Sequence, residues 1–304
     1  MSSTTAASAT RPAAAPPGSW RIPPIKAPYV FSSLITLILV VGQWKGGIIG
    51  GWDRLFVALG TAVGVEILLA RLVRGIWPNV LSAYITGNSI AILGKPAPGI
   101  LWPYWLGAAL AITSKYVLKY RGRHLWNPTN FSFCALLLIA PHSMSLLSHQ
   151  WGNDAITLFV FGVGMAVVWR AGLIHISGTY ALCFVALAFV RALLIGGEGE
   201  LLRRFVTEAA PITGPMYMLL MFFMLTDPRT VVSTKRGRML VVMLIALVEF
   251  GIRLLQQTSF RGLDVLLTGP PIFALGIVGP IALALELRHK AAMAPSPAPA
   301  PRPA

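Results

Sequence analysis

Residues 211–238 read PITGPMYMLLMFFMLTDPRTVVSTKRGR: a Thr-Gly-Pro break, an apolar run from Met216 to Leu225, a Thr226-Asp227-Pro228 turn, and a basic segment ending at Arg238. A run that starts at a helix-breaking Gly-Pro pair and stops in a turn beside Arg229, Lys235, Arg236 and Arg238 suits a segment that crosses hydrocarbon and halts at an anionic surface. A shorter echo lies upstream, where Ile85-Thr86-Gly87-Asn88 leads through apolar residues to Gly94-Lys95-Pro96.

Working outward from these two stretches, apolar runs occupy residues 28–44, 55–72, 79–94, 100–118, 128–143, 154–169, 176–195, 206–225, 239–256 and 264–286, which makes ten. The echo falls in the third and eighth runs. An offset of five spans reverses membrane direction, so the pattern predicts an all-α polytopic membrane protein of ten transmembrane helices, arranged as two inverted five-helix repeats with broken helices. The third run is interrupted by Thr86, Gly87 and Asn88, and the fifth by Pro128 and Asn130. Thr-Gly and Gly-Pro pairs also serve close helix packing in membranes, and that reading competes with the repeat.

Composition agrees with a membrane protein. Of 304 residues, 56% are hydrophobic and 12% charged, with a mean hydropathy of +0.71, which excludes a soluble globular enzyme. The formal charge of +15 is therefore assigned to a membrane surface and not to nucleic acid. Alternating the spans from a cytoplasmic N-terminus puts Arg71, Arg74, Lys119, Arg121, Arg123, Arg170, Arg229, Lys235, Arg236, Arg238, Arg288 and Lys290 inside, with Arg21 and Lys26. The other side receives Lys45, Arg54, Lys95, Arg203, Arg204 and Arg261. Both termini are thus expected in the cytoplasm. Residues 1–27 and 288–304, rich in Ala, Pro and Ser, read as disordered tails around a transmembrane domain at 28–287.

Glu66, Lys115, Arg191, Glu208, Asp227, Glu249 and Arg253 lie in or at the edge of spans, where charge is a functional hypothesis by default. Each has a plainer reading: Glu249 and Arg253 neutralise each other at i,i+4, Lys115 snorkels, and Asp227 fixes a turn. All five histidines fall at span ends or in loops, which leaves no pair of axial ligands for a buried haem, and no metal site is expected. Cys134 and Cys183 read as small apolar packing residues.

Two blocks carry a resemblance. The run from Pro211 to Arg238, and Ser114-Lys115-Tyr116 followed by Arg121-Gly122-Arg123-His124-Leu125-Trp126-Asn127-Pro128-Thr129-Asn130, resemble the NqrB/RnfD family of membrane subunits, over roughly residues 28–287. That resemblance implies an electron-transfer subunit of the sodium-pumping NADH:quinone reductase or Rnf type, in a bacterial inner membrane with partner subunits. Family members bear FMN on a threonine in a long loop after the fifth span. Here the connection from Pro141 to Asn153 is short and contains no threonine, so covalent FMN is not expected and the chain is closer to a compact, UnbU-like branch.

The expected ligand is then a flavin, FMN or riboflavin, or a quinone, held non-covalently. Its expected site lies between the broken third and eighth spans. Thr86, Asn88 and Thr213 would contact it, Asn127 and Asn130 would add amides, Lys115 would neutralise an anionic group, and Asp227 with Arg229 would order the loop beneath. A structural subunit, or a transporter of a small solute or ion on the same scaffold, is the alternative.

Overall fold

The computed structural model describes residues 27–146, 154–196, 200–257 and 262–293. Residues 1–26, most of the expected N-terminal tail, lie outside that set, as do Arg261, residues 147–153 of the short loop and residues 294–304. The described chain is helical. Its helices are α1 (Ala27–Gly46), α2 (Trp52–Arg74), α3 (Leu81–Leu93), α4 (Trp102–Val117), α5 (Pro128–Ile139), α6 (Asp154–Arg170), α7 (Ile174–Ile195), α8 (Leu201–Ala209), α9 (Pro215–Leu219), α10 (Lys235–Leu254) and α11 (Pro270–Ala292).

Local chemistry sets the ends. Pro128, Pro215 and Pro270 stand at first helical positions, where a missing N–H does no harm. The Asn127 side chain caps α5, Thr234 caps α10, and Gly75, at φ 67°, closes α2 in the left-handed conformation. α11 continues to Ala292, five residues past Leu287 and into the stretch expected as a tail, because Arg288, His289 and Lys290 suit a last helical turn.

Among the described residues, four helices are long and apolar enough to cross a membrane: α2, α7, α10 with its 3₁₀ extension to Gln257, and α11. α3, α5, part of α6, and α9 with its continuation are apolar but shorter. Large apolar side chains such as Phe56, Leu72, Leu182 and Leu285 are more than half exposed, as expected of helix faces that meet lipid.

The third span departs from expectation. α3 is continuous from Leu81 to Leu93, and Thr86-Gly87-Asn88 lies within it. The Thr86 hydroxyl donates to the Ser82 carbonyl four residues back at 2.9 Å, which leaves the helix intact. Gly87 is there for packing: a Cβ would meet Leu59 Cα at 3.0 Å and the Ala58 carbonyl oxygen at 3.1 Å, so it lets α2 and α3 touch. In the other copy the chain does break. A 3₁₀ turn at Ala210–Thr213 ends in extended Gly214 (φ −77°, ψ 158°), and α9 passes into a π-helical turn at Leu220–Met224. Pro128 and Asn130 likewise begin α5 and do not interrupt it.

Packing repeats along the chain. α1 packs on α3, α2 on α3 and α4, and α4 on α5; later, α6 packs on α9 and its π turn, α7 on that turn and on α10, and α10 on α11. Between the halves α1 meets α6 and α5 meets α11. At one end, strand β1 (Gly94–Pro96) pairs antiparallel with β4 (Met144–Leu146), and the Lys95 ammonium donates to the Ile48 carbonyl. Burial, reinforced by nearby Arg54, lowers the Lys95 pKa to about 8. At the opposite end the hairpin of β2 (Lys119–Tyr120) and β3 (Arg123–His124) meets the 226–234 loop, and Lys290 reaches Ser233.

Candidate functional site

The site is built where the α4–α5 connection meets the Asp-Pro turn. Arg121 (φ 50°) and Gly122 (φ 80°) both take positive φ in the two-residue turn of the β2–β3 hairpin, the geometry that matches strand twist. This presents Arg123 to the loop. One of its guanidinium nitrogens, Nη2, donates to the carbonyls of Pro228 (3.1 Å), Arg229 (3.0 Å) and Val231 (3.0 Å). Asp227 braces the same loop from within: Oδ1 accepts from the Arg229 N–H at 3.0 Å and Oδ2 from Asn127 Nδ2 at 3.1 Å. Asn127 therefore joins both halves, since its own Oδ1 caps α5 by accepting from the Asn130 N–H.

α11 forms the far wall, and a proline shapes it. Pro280 has no N–H, so the Gly276 carbonyl four residues earlier loses its helical donor. The indole Nε1 of Trp126 donates to that carbonyl at 2.8 Å. One turn away Asn130 Nδ2 donates to the Ile272 carbonyl at 2.8 Å. Asn130 is fully buried, and its Oδ1 has no hydrogen-bond partner in the structure. An unpaired buried amide oxygen costs about 1–3 kcal/mol, so this atom calls for a donor.

A narrow cleft of about 30 Å³ runs between these groups, lined by Trp126, Asn127, Asn130, Thr230, Leu275 and Pro280 among others. It shares Val231 and Arg238 with a wide bowl of about 490 Å³. Gly122, Arg123, His124, Pro228, Arg229 and Ser233 complete the bowl. Burial, together with the charges of Lys119, Arg229 and Lys115, lowers the His124 pKa, so its imidazole is neutral at pH 7.

Of the residues expected at the site, Asn127, Asn130, Asp227 and Arg229 are thus brought together. Lys115 is buried beside them: its ammonium contacts Ser82 Oγ at 3.0 Å and lies 3.7 Å from Glu66, whose other oxygen accepts from Tyr116 at 2.7 Å. Asn88 is buried in α3 with Nδ2 unpartnered, and neither it nor Thr86 lines the cleft or the bowl. Thr213 is exposed at the end of the 3₁₀ turn, its hydroxyl donating to the Ala210 carbonyl at 2.8 Å, and lines neither the cleft nor the bowl.

Sequence reasoning overlooked Arg123, Trp126 and the Gly276–Pro280 pair as parts of the site. The four-residue spacing of Gly276 and Pro280 was the readable signal, because it marks a carbonyl in search of a donor. The same reasoning paired Glu249 with Arg253, as the structure does, but missed Tyr180 and Tyr217. That carboxylate accepts from Tyr180, Tyr217 and Arg253 Nε, and Arg253 Nη2 donates to Tyr217, a buried network between α7, α9 and α10. No protein-family model matches this chain, and no curated protein matches it.

Proposed function

We propose that the chain is an integral membrane electron-transfer subunit that holds a flavin, FMN or riboflavin, non-covalently at the junction of cleft and bowl, and exchanges electrons with partner subunits. Carrying this reading is the orphaned Asn130 Oδ1: a flavin ring presents an imide N–H flanked by carbonyls, and a buried amide oxygen beside an indole suits that edge. The open volume lies in the bowl and not in the cleft, so a ring system enters from the bowl side. The resemblance of residues 114–130 and 211–238 to the NqrB/RnfD family supports the same reading, as does the short loop without threonine for non-covalent retention.

In this reading the ten helical segments cross a bacterial inner membrane as two inverted repeats, supported by the recurrence of the same helix pairings five segments later. Both termini then face the cytoplasm, along with the basic bowl. Replacing Asn130 with Leu removes the acceptor at similar volume. The variant should insert normally and lose co-purifying flavin, and unchanged flavin content would refute the assignment.

One observation favours a second reading. The cleft itself has room for about one water, which suits a structural subunit or a small-solute or ion transporter without flavin. Under that reading the Asn130 substitution changes stability or transport and no spectrum.

A further inference from the structure

The bowl has a chemistry of its own. Three guanidinium groups, Arg123, Arg229 and Arg238, line it, and no carboxylate does. Nearby acids are already engaged. Asp227 accepts from the Arg229 N–H and Asn127, and Glu286 accepts from the Ser233 N–H at 2.9 Å and from its hydroxyl, and pairs with Lys290. Like charges gathered in a concavity repel, and an anion seated among them relieves that repulsion.

Two further observations point to a ligand and not merely to a basic surface. His124, on the bowl wall, has a buried Nδ1 without a hydrogen-bond partner. Arg229 contributes its backbone to the loop, with its N–H on Asp227 and its carbonyl on Arg123, while its side chain is exposed. Basic loops that only set membrane orientation need no concavity; this one has about 490 Å³ and opens onto an apolar cleft. Guanidinium forks match phosphate oxygens in geometry as well as charge.

We infer that the bowl binds a phosphate monoester whose remaining body is apolar or aromatic and lies toward the cleft. This goes beyond the flavin reading and stands without it, because the same phosphate chemistry is offered by a flavin mononucleotide and by a phosphatidic acid headgroup.

The test uses the full chain in mild detergent and matched probe pairs: FMN against riboflavin by fluorescence quenching, and short-chain phosphatidic acid against the corresponding diacylglycerol by native mass spectrometry. In at least one pair the phosphate-bearing member should bind about tenfold or more tightly, the value of one or two charged hydrogen bonds. Arg229→Gln should abolish the preference and Arg229→Lys restore part of it, since the loop is held by backbone bonds that both variants keep. Preference for FMN identifies the flavin phosphate as the occupant. Preference for phosphatidic acid with no flavin binding supports the bowl and sinks the flavin reading. Equal binding within both pairs overturns the phosphate site, and leaves the flavin reading standing if riboflavin is among the bound.

Discussion

At the residue scale, the pairing of Trp126 with the Gly276 carbonyl makes a quantitative prediction. Trp126→Phe should destabilise the protein by about 1–2 kcal/mol, as the loss of one buried hydrogen bond does. In a Pro280→Ala background the restored N–H serves Gly276 instead, so the same Trp126 change should be milder there; a double-mutant cycle on thermal unfolding in detergent measures the coupling. Glu249 is a larger case. It is fully buried and holds Tyr180, Tyr217 and Arg253, so Glu249→Leu leaves the partly buried Arg253 guanidinium without its carboxylate and should cost about 2–4 kcal/mol, read as a lower Tm. His124 sets a pH dependence. Its folded pKa lies below the unfolded value, so its contribution is complete above roughly pH 6.5 and is lost as pH falls below that. Stability of His124→Asn should fall less steeply across the acidic limb. From sequence, Asn127, Asn130, Asp227 and Arg229 were legible because polar residues beside apolar runs are rare. Trp126 and Arg123 were not, because their partners are backbone carbonyls that no side-chain pattern announces.

Element by element, each apolar run contains a helical segment, because burial of apolar surface and satisfaction of backbone polar groups impose helices wherever such runs occur. What the runs concealed is which glycine breaks a helix. Thr86-Gly87 and Thr213-Gly214 look alike in sequence, yet the first sits inside α3 and the second ends a 3₁₀ turn. The difference lies in the next residue: Pro215 starts a new helix, whereas Asn88 continues the old one. Packing then decides the role of Gly87. Gly87→Ala should destabilise by about 1–3 kcal/mol through the forced separation of α2 and α3, whereas Gly64→Ala, with open space around its Cβ, should be neutral or mildly stabilising.

For the molecule as a whole, the proposed topology puts the basic bowl at one membrane face and the β1–β4 pair at the other. Single cysteines at Ser233 and Lys45, both exposed, in a background with Cys134 and Cys183 replaced by Ala, report this directly. A membrane-impermeant reagent on intact cells should label Lys45→Cys and spare Ser233→Cys; the reverse pattern would invert the topology. The central claim is that a flavin sits non-covalently at the junction of cleft and bowl. It is tested most directly by the absorbance spectrum of the full chain purified in mild detergent, taken before and after denaturation. We expect flavin bands that copurify with the native protein and pass wholly into the protein-free fraction on denaturation. A native preparation with no flavin absorbance, or a fluorescent chain that keeps its flavin through denaturation, would contradict it.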